Sequence, residues 1–143
     1  MPDAAEEAFA HIASVSRSLK TLVERRLIEH GVYAGQHLIL GCLWEQDGLT
    51  PGQLARRIGL ETPTVTRAVQ RMESHELVLR SNDDTDRRLV RVWLTPRGSA
   101  LRRVVPRVLA QVRKEVFADL TVREQTVLAQ LLDRVRVPHP SPD

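Results

Sequence analysis

Between Pro63 and His75 the run P-T-V-T-R-A-V-Q-R-M-E-S-H interleaves polar and apolar residues at helical spacing. Val65, Ala68, Val69 and Met72 share one face, which leaves Thr64, Thr66, Arg67, Gln70 and Arg71 on or near the other. These side chains can hydrogen-bond to nucleobases and phosphates. Arg grips guanine through two N–H groups, Gln can do the same for adenine, and Thr reaches a phosphate or a thymine methyl. Arg67 and Gln70 are the first candidates for base contact. The competing reading is a solvated helix surface, with Arg67 and Arg71 paired to Glu73 or Glu76.

The chain that must position these residues has 143 positions, room for one ordinary domain. A long helix is expected over Ala4–Glu29, with Phe9, Ile12, Leu19, Leu22, Val23 and Leu27 apolar, and Gly31 ends it. A second helix is expected from about Gly35 to Gln46, around Leu38, Leu40, Leu43 and Trp44. Thr50-Pro51-Gly52-Gln53 is a helix start, and Gly59 closes the short helix Pro51–Ile58. Thr62-Pro63 starts the next by the same capping chemistry, and it runs to about His75. Leu77–Arg80 and Arg88–Leu94 then read as two strands joined by the polar turn Ser81–Arg87. Thr95-Pro96 opens a helix with Leu101, Val104, Val105, Val108, Val112 and Val116 apolar, and Pro106 inside it should kink it or break a hydrogen bond. Thr121-Val122-Arg123-Glu124 is a capping box for a last helix through Val135, and the tail 137–143 is expected to fray.

Ala55, Gly59 and Val65 meet the demands of a helix-turn-helix: a small residue at the crossing, a turn residue free to take positive φ, and a branched residue facing back. Leu54, Ile58, Leu60 and Ala68 fill the apolar positions between. A charged two-stranded hairpin directly afterwards turns that pattern into a winged helix.

Charge is partitioned along the chain. Residues 51–114 hold 14 Lys/Arg against 6 Asp/Glu, a balance of +8, and the remainder holds 7 against 12, a balance of −5. Nineteen of the 21 cations are Arg, which fits a GC-rich coding sequence, but that bias does not segregate acids from bases. A basic middle is the footprint expected of an anionic partner such as nucleic acid.

The run LTPGQLARRIGLETPTVTRAVQRMESHELVLRSNDDTDRRLVRVWLTPRG resembles the core of the MarR family of bacterial transcriptional regulators. The likeness includes D-x-R at the hairpin tip, here Asp86 and Arg88, and the L-T-x-x-G that closes the wing. It implies a mainly α fold with a small β-hairpin wing: a winged helix-turn-helix core over about 35–95, and dimerisation helices over about 4–30 and 96–136. The implied activity is sequence-specific DNA binding as a homodimer on a pseudo-palindromic operator, usually repression relieved by a small-molecule effector. The helix after Pro63 would then lie in the major groove. Asp86 would hold the Arg88 guanidinium extended toward a narrow minor groove, Arg87 would meet a phosphate, and Arg56 and Arg57 are further phosphate candidates. Asp83 and Asp84 sit oddly on such a tip and would repel phosphate unless they point away.

Family members bind small phenolic or lipophilic effectors between the dimer helices and the winged helix, where Arg17, Tyr33, His37 and Trp44 are candidate lining residues. Cys42, the one cysteine, excludes a disulfide framework; amid Leu40, Leu43 and Trp44 it reads as packing rather than as a redox sensor. His11, His30, His37, His75 and His139 form no H-x-x-x-H pair, so no metal or other cofactor is expected. No nucleophile motif, phosphate loop or convincing carboxylate pair suggests an enzyme. The acidic N-terminus lacks a basic signal region and no stretch could span a bilayer, so a cytoplasmic protein is expected. The rival function is a winged-helix module that grips another protein, with no specific DNA binding.

Overall fold

The computed structural model describes residues 1–138; the last five residues of the tail, His139 among them, lie outside the described residues. The element order is α1 (Ala4–Ile28), α2 (Gln36–Glu45), α3 (Pro51–Ile58), α4 (Thr62–Ser74), β1 (Val78–Asn82), β2 (Val90–Leu94), α5 (Pro96–Ala100), a 3-10 turn (Leu101–Arg103), α6 (Val105–Val116) and α7 (Val122–Asp133). The chain divides into two compact units, Met1–Leu109 and the residues from Ala110 onward.

Side-chain caps fix most helix starts. Asp3 accepts the Glu6 N–H at 2.8 Å. Thr50 and Gln53 satisfy each other's backbone N–H groups at 3.2 and 2.9 Å, and Thr121 and Glu124 do so at 3.1 and 2.9 Å. Each such cap contributes about 1 kcal/mol. The start of α4 departs from expectation: Glu61 holds the cap position with no side-chain bond, and Thr62 is already helical. The turn before it explains the shift. Leu60 donates its N–H back to Ala55 and the Glu61 carbonyl accepts from Val65, so the helix begins one residue before Thr62 could cap it.

The angle between α3 and α4 is set as the sequence requires. Gly59 has φ +81° and donates its N–H to the Ala55 carbonyl at 2.8 Å, in a region where a Cβ would be strained. Ala55, Leu54, Val65, Val69 and Met72 are buried, with Leu27, Val32, Ile39, Leu40, Leu43, Leu49, Leu77, Val78 and Val92 in the same core. Two expected core residues are not there. Leu60 is 46% exposed and Leu38 is 45% exposed; Ile39, one residue round α2, takes the inward position instead.

The strands pair antiparallel from Val78↔Leu94 to Asn82↔Val90. The second strand starts later than expected because Arg88 and Leu89 belong to the turn: Leu89 donates its N–H to Asp86 and accepts from Asp83. Leu49 bridges to Val92, and the Asp47 carboxylate accepts the Leu94 N–H at 2.9 Å, so the segment before α3 backs β2. At the wing's end Thr95 donates its N–H to Leu77 at 3.1 Å and its hydroxyl to Glu76 at 2.6 Å. A Cβ on Gly98 would lie 2.2 Å from the Leu77 carbonyl oxygen, so this glycine permits the close approach that closes the wing.

The expected single helix from Pro96 is interrupted by the 3-10 turn, and α6 restarts at Val105. Pro106 has no N–H for the Arg102 carbonyl, and it falls in the first turn of α6 rather than kinking its middle.

Within α1 only Leu27 is buried, while Phe9, Ile12, Val15 and Leu19 are exposed. In the second unit α7 buries no residue, and a cleft of about 760 Å³ is lined by Phe117, Leu120, Leu128 and Leu132 with Arg113 and Lys114. No helix among the described residues is long and apolar enough to cross a membrane.

Candidate nucleic-acid interface

The outer face of α4 carries Arg67, Gln70 and Arg71 together. With Ser74 they line a shallow cleft of about 290 Å³. Val65, Val69 and Met72 are fully buried on the opposite side, so the amphipathic split of the sequence holds in three dimensions. Thr64 is exposed; Thr66 is half-buried and donates its hydroxyl to the Thr62 carbonyl at 3.0 Å. Ser74, which the sequence reading did not single out, donates to the Gln70 carbonyl at 3.2 Å. Its position one turn beyond Gln70 was the available signal.

Glu73 does not pair with Arg67 or Arg71. It receives the Arg80 backbone N–H at 3.0 Å and the Arg80 guanidinium at 3.0–3.4 Å, which holds its carboxyl below the ordinary range. Glu76 forms the left-handed end of α4 at φ +61°. Among the described residues Arg67 and Arg71 therefore have no acidic partner.

The wing tip shows the local pairing that D-x-R allows. Asp86 accepts the Arg88 backbone N–H at 3.1 Å, and its two oxygens accept Nε and a terminal N–H at 3.1 and 3.3 Å. The Arg88 side chain stays 90% exposed while held in this fork, and the bonds from Arg88 lower the Asp86 pKa. Arg87 is exposed, with its carbonyl accepting from Asn82. Asp83 points inward: it accepts Nε of Arg91 at 2.7 Å and the backbone N–H groups of Asp86 and Thr85 at 2.9 and 3.3 Å. Only Asp84 remains an exposed acid at the tip. The sequence reading missed Arg91: in the hairpin's register it faces Ser81 with Asp83 on the diagonal, and that register is set by the folded turn.

On α3, Arg56 is exposed, whereas Arg57 donates to Gln46 Oε1 at 2.6 Å. The four candidate effector residues have separate neighbours. Arg17 lines a shallow groove of α1 with Ser18, Thr21, Leu22 and Arg25. The Tyr33 ring lies 4.8 Å from that of His75, which also meets the buried Gln36 amide. Burial lowers the His37 pKa, with Glu24 opposing. Trp44 donates its indole N–H to the Gly98 carbonyl at 2.9 Å, which ties α2 to the start of α5. Cys42 is half-buried, and burial pushes its thiol up despite the opposing charge of Arg57.

The MarR family model matches residues 32–90, from the segment before α2 to the first residue of β2. The uncharacterised HTH-type transcriptional regulator YsmB of Bacillus subtilis (strain 168) is 26% identical, over 88% of this chain and 91% of that protein. The crystal structure of a mutant MarR from E. coli, complexed with operator DNA, superposes with a TM-score of 0.83 at 25% identity, covering 95% of this chain and all of that one. The organohalide-sensing regulator RdhR-CbdbA1625, in its 2,4-dichlorophenol-bound form, has the same fold at a TM-score of 0.86 and 24% identity, covering 94% and 80%. The turn at Gly59, the partnerless face of α4, the forked wing tip and the match over the core agree: residues 32–90 form a winged helix-turn-helix that matches the MarR family.

Proposed function

We propose that the chain is a DNA-binding transcriptional regulator that reads a pseudo-palindromic operator as a homodimer. The observation that carries this reading is the outer face of α4, where Arg67, Gln70 and Arg71 stand together without acidic partners. Along α4 Glu73 stands six positions from Arg67 and two from Arg71, spacings that do not face each other on a helix, so α4 itself supplies neither cation with an acid. Here Glu73 serves Arg80 instead. Base contacts go to Arg67 and Gln70, with Thr64, Thr66 and Arg71 beside them; phosphate contacts go to Arg56, Arg57 and Arg87, and a minor-groove contact to Arg88 held by Asp86. The mutant E. coli MarR with this fold is complexed with operator DNA, which supports the DNA-binding reading. Exposed apolar rows on α1 and α7 supply the surface for pairing two copies.

Fluorescence anisotropy of the full chain, against a duplex it enriches from a random pool and a scrambled duplex, tests the reading. The expected result is preference for the enriched duplex with a steep salt dependence. Arg67→Ala should cost about 1–3 kcal/mol on that duplex and relax its sequence preference. Equal, weak and salt-insensitive binding to both would favour the protein-gripping alternative.

Effector control belongs to the same proposal, with Arg17, Tyr33, His37 and Trp44 as candidate contacts for a small phenolic or lipophilic ligand. Its support is the Tyr33–His75 contact, since His75 ends the recognition helix and a ligand that displaced Tyr33 would bear directly on α4.

A further inference from the structure

We infer that Arg91 is a positioning residue of the wing, which silences one carboxylate and locks the tip so that Arg88 can act. The inference rests on the reading of the wing as a DNA contact. Arg91 lies in β2, 31% exposed, and spans two elements: Nε donates to Asp83 at 2.7 Å and a terminal N–H donates to the Gly48 carbonyl at 2.8 Å. Gly48 belongs to the turn between α2 and α3, at the foot of the helix-turn-helix. Asp83 in turn accepts the Asp86 N–H, and Asp86 forks the Arg88 guanidinium. A continuous chain of bonds therefore runs from the helix-turn-helix through Arg91 to the exposed cation.

Two physical effects follow. A flexible hairpin must be ordered when it enters a groove, and anchoring the tip beforehand removes that cost from binding. Asp83 is also a full negative charge beside a surface meant for phosphate. The charge-assisted bond to Arg91 neutralises it and turns its side chain away from solvent, to 18% exposure. No ion pair of the described residues engages Asp84, so the tip keeps a single open acid against Arg87 and Arg88.

The test uses the full chain with Arg91→Ala, Arg91→Lys, Asp83→Asn, the Arg91→Ala/Asp83→Asn pair and Arg88→Ala alone and with Arg91→Ala. Amide exchange at Thr85–Arg88 is followed without DNA, and anisotropy is measured on the enriched and scrambled duplexes, with thermal melting to confirm folding. Arg91→Ala should speed exchange at the tip, weaken binding about tenfold and lower the salt slope by about one. Arg91→Lys, a point charge without the fork, should restore part of the affinity but not the slow exchange. Adding Asp83→Asn to Arg91→Ala should regain the share lost to repulsion, while exchange stays fast. In the Arg91→Ala background, Arg88→Ala should cost less than it does alone. Wild-type affinity in folded Arg91→Ala, or additive losses from Arg91→Ala and Arg88→Ala, would overturn the inference. Failure of the wild-type chain to enrich any duplex would instead defeat the DNA reading beneath it, and unchanged tip exchange in Arg91→Ala would separately defeat the ordering role.

Discussion

Asp83, Asp86 and Glu73 are each held below the ordinary carboxylate range by an arginine: Arg91, Arg88 and Arg80 respectively. A carboxyl whose folded pKa is depressed contributes stability in full above its unfolded pKa of about 4, and loses it as pH falls through the lower folded value. The wing should thus stay ordered from neutral pH down to about 5 and loosen only in stronger acid. Arginine Nε–H resonances of Arg80, Arg88 and Arg91, followed by NMR as the solution is acidified from neutral pH, check this, and broadening already near pH ~6 would contradict it. These pairs also mark how far residue-level reading reaches. Asp86–Arg88 was legible because the partners are two positions apart on one hairpin. Glu73–Arg80 and Asp83–Arg91 were not, because each needs the register of a turn that the sequence leaves free by a residue or two. That gap is why Asp83 looked repulsive.

Elements were most legible where their ends are written in local chemistry. The capping boxes at Thr50 and Thr121 and the turn at Gly59 lie where the sequence put them. Where no side chain caps, as at Glu61, the start of α4 was set by hydrogen bonds of the preceding turn, and the expected boundary slipped by a residue. The far end of α4 is the reverse case: Leu77 donates to Met72 and Glu76 to Glu73, a Schellman-type close with Glu at the left-handed position usually held by Gly. Glu76→Gly should therefore raise stability by about 1 kcal/mol, read as a higher midpoint in urea unfolding. Gly98→Ala should do the opposite. Its Cβ would collide with the Leu77 carbonyl and disturb the Trp44 bond, so a loss of about 1–3 kcal/mol is expected in the same assay. The break after α5 was half legible: Pro106 announced a missing hydrogen bond, but not that the helix would tighten into a 3-10 turn before it.

For the molecule as a whole, two rows of exposed apolar residues lie on the terminal helices, Phe9, Ile12, Val15 and Leu19 on α1 and Val127, Leu131 and Leu132 on α7. Paired copies should cover them. Light scattering should give twice the mass of one chain for the wild type, and Val15→Glu with Leu131→Glu should shift it to one chain while helix content is kept. Sequence periodicity placed Phe9, Ile12 and Leu19 on the apolar row of the first helix but did not single out Val15 or, on the last helix, Val127. The face of α4 has a different consequence. Arg67 and Arg71 contribute no ion pair to the described fold, and the exposed Thr64 and Gln70 side chains contribute little to its core. The surface that would choose a DNA sequence is thus nearly separate from the forces that hold the protein together. Such a surface is free to evolve. A library randomised at positions 64, 67, 70 and 71 should remain mostly folded, with melting shifts worth within about 0.5 kcal/mol for most members, while its preferred operators diverge.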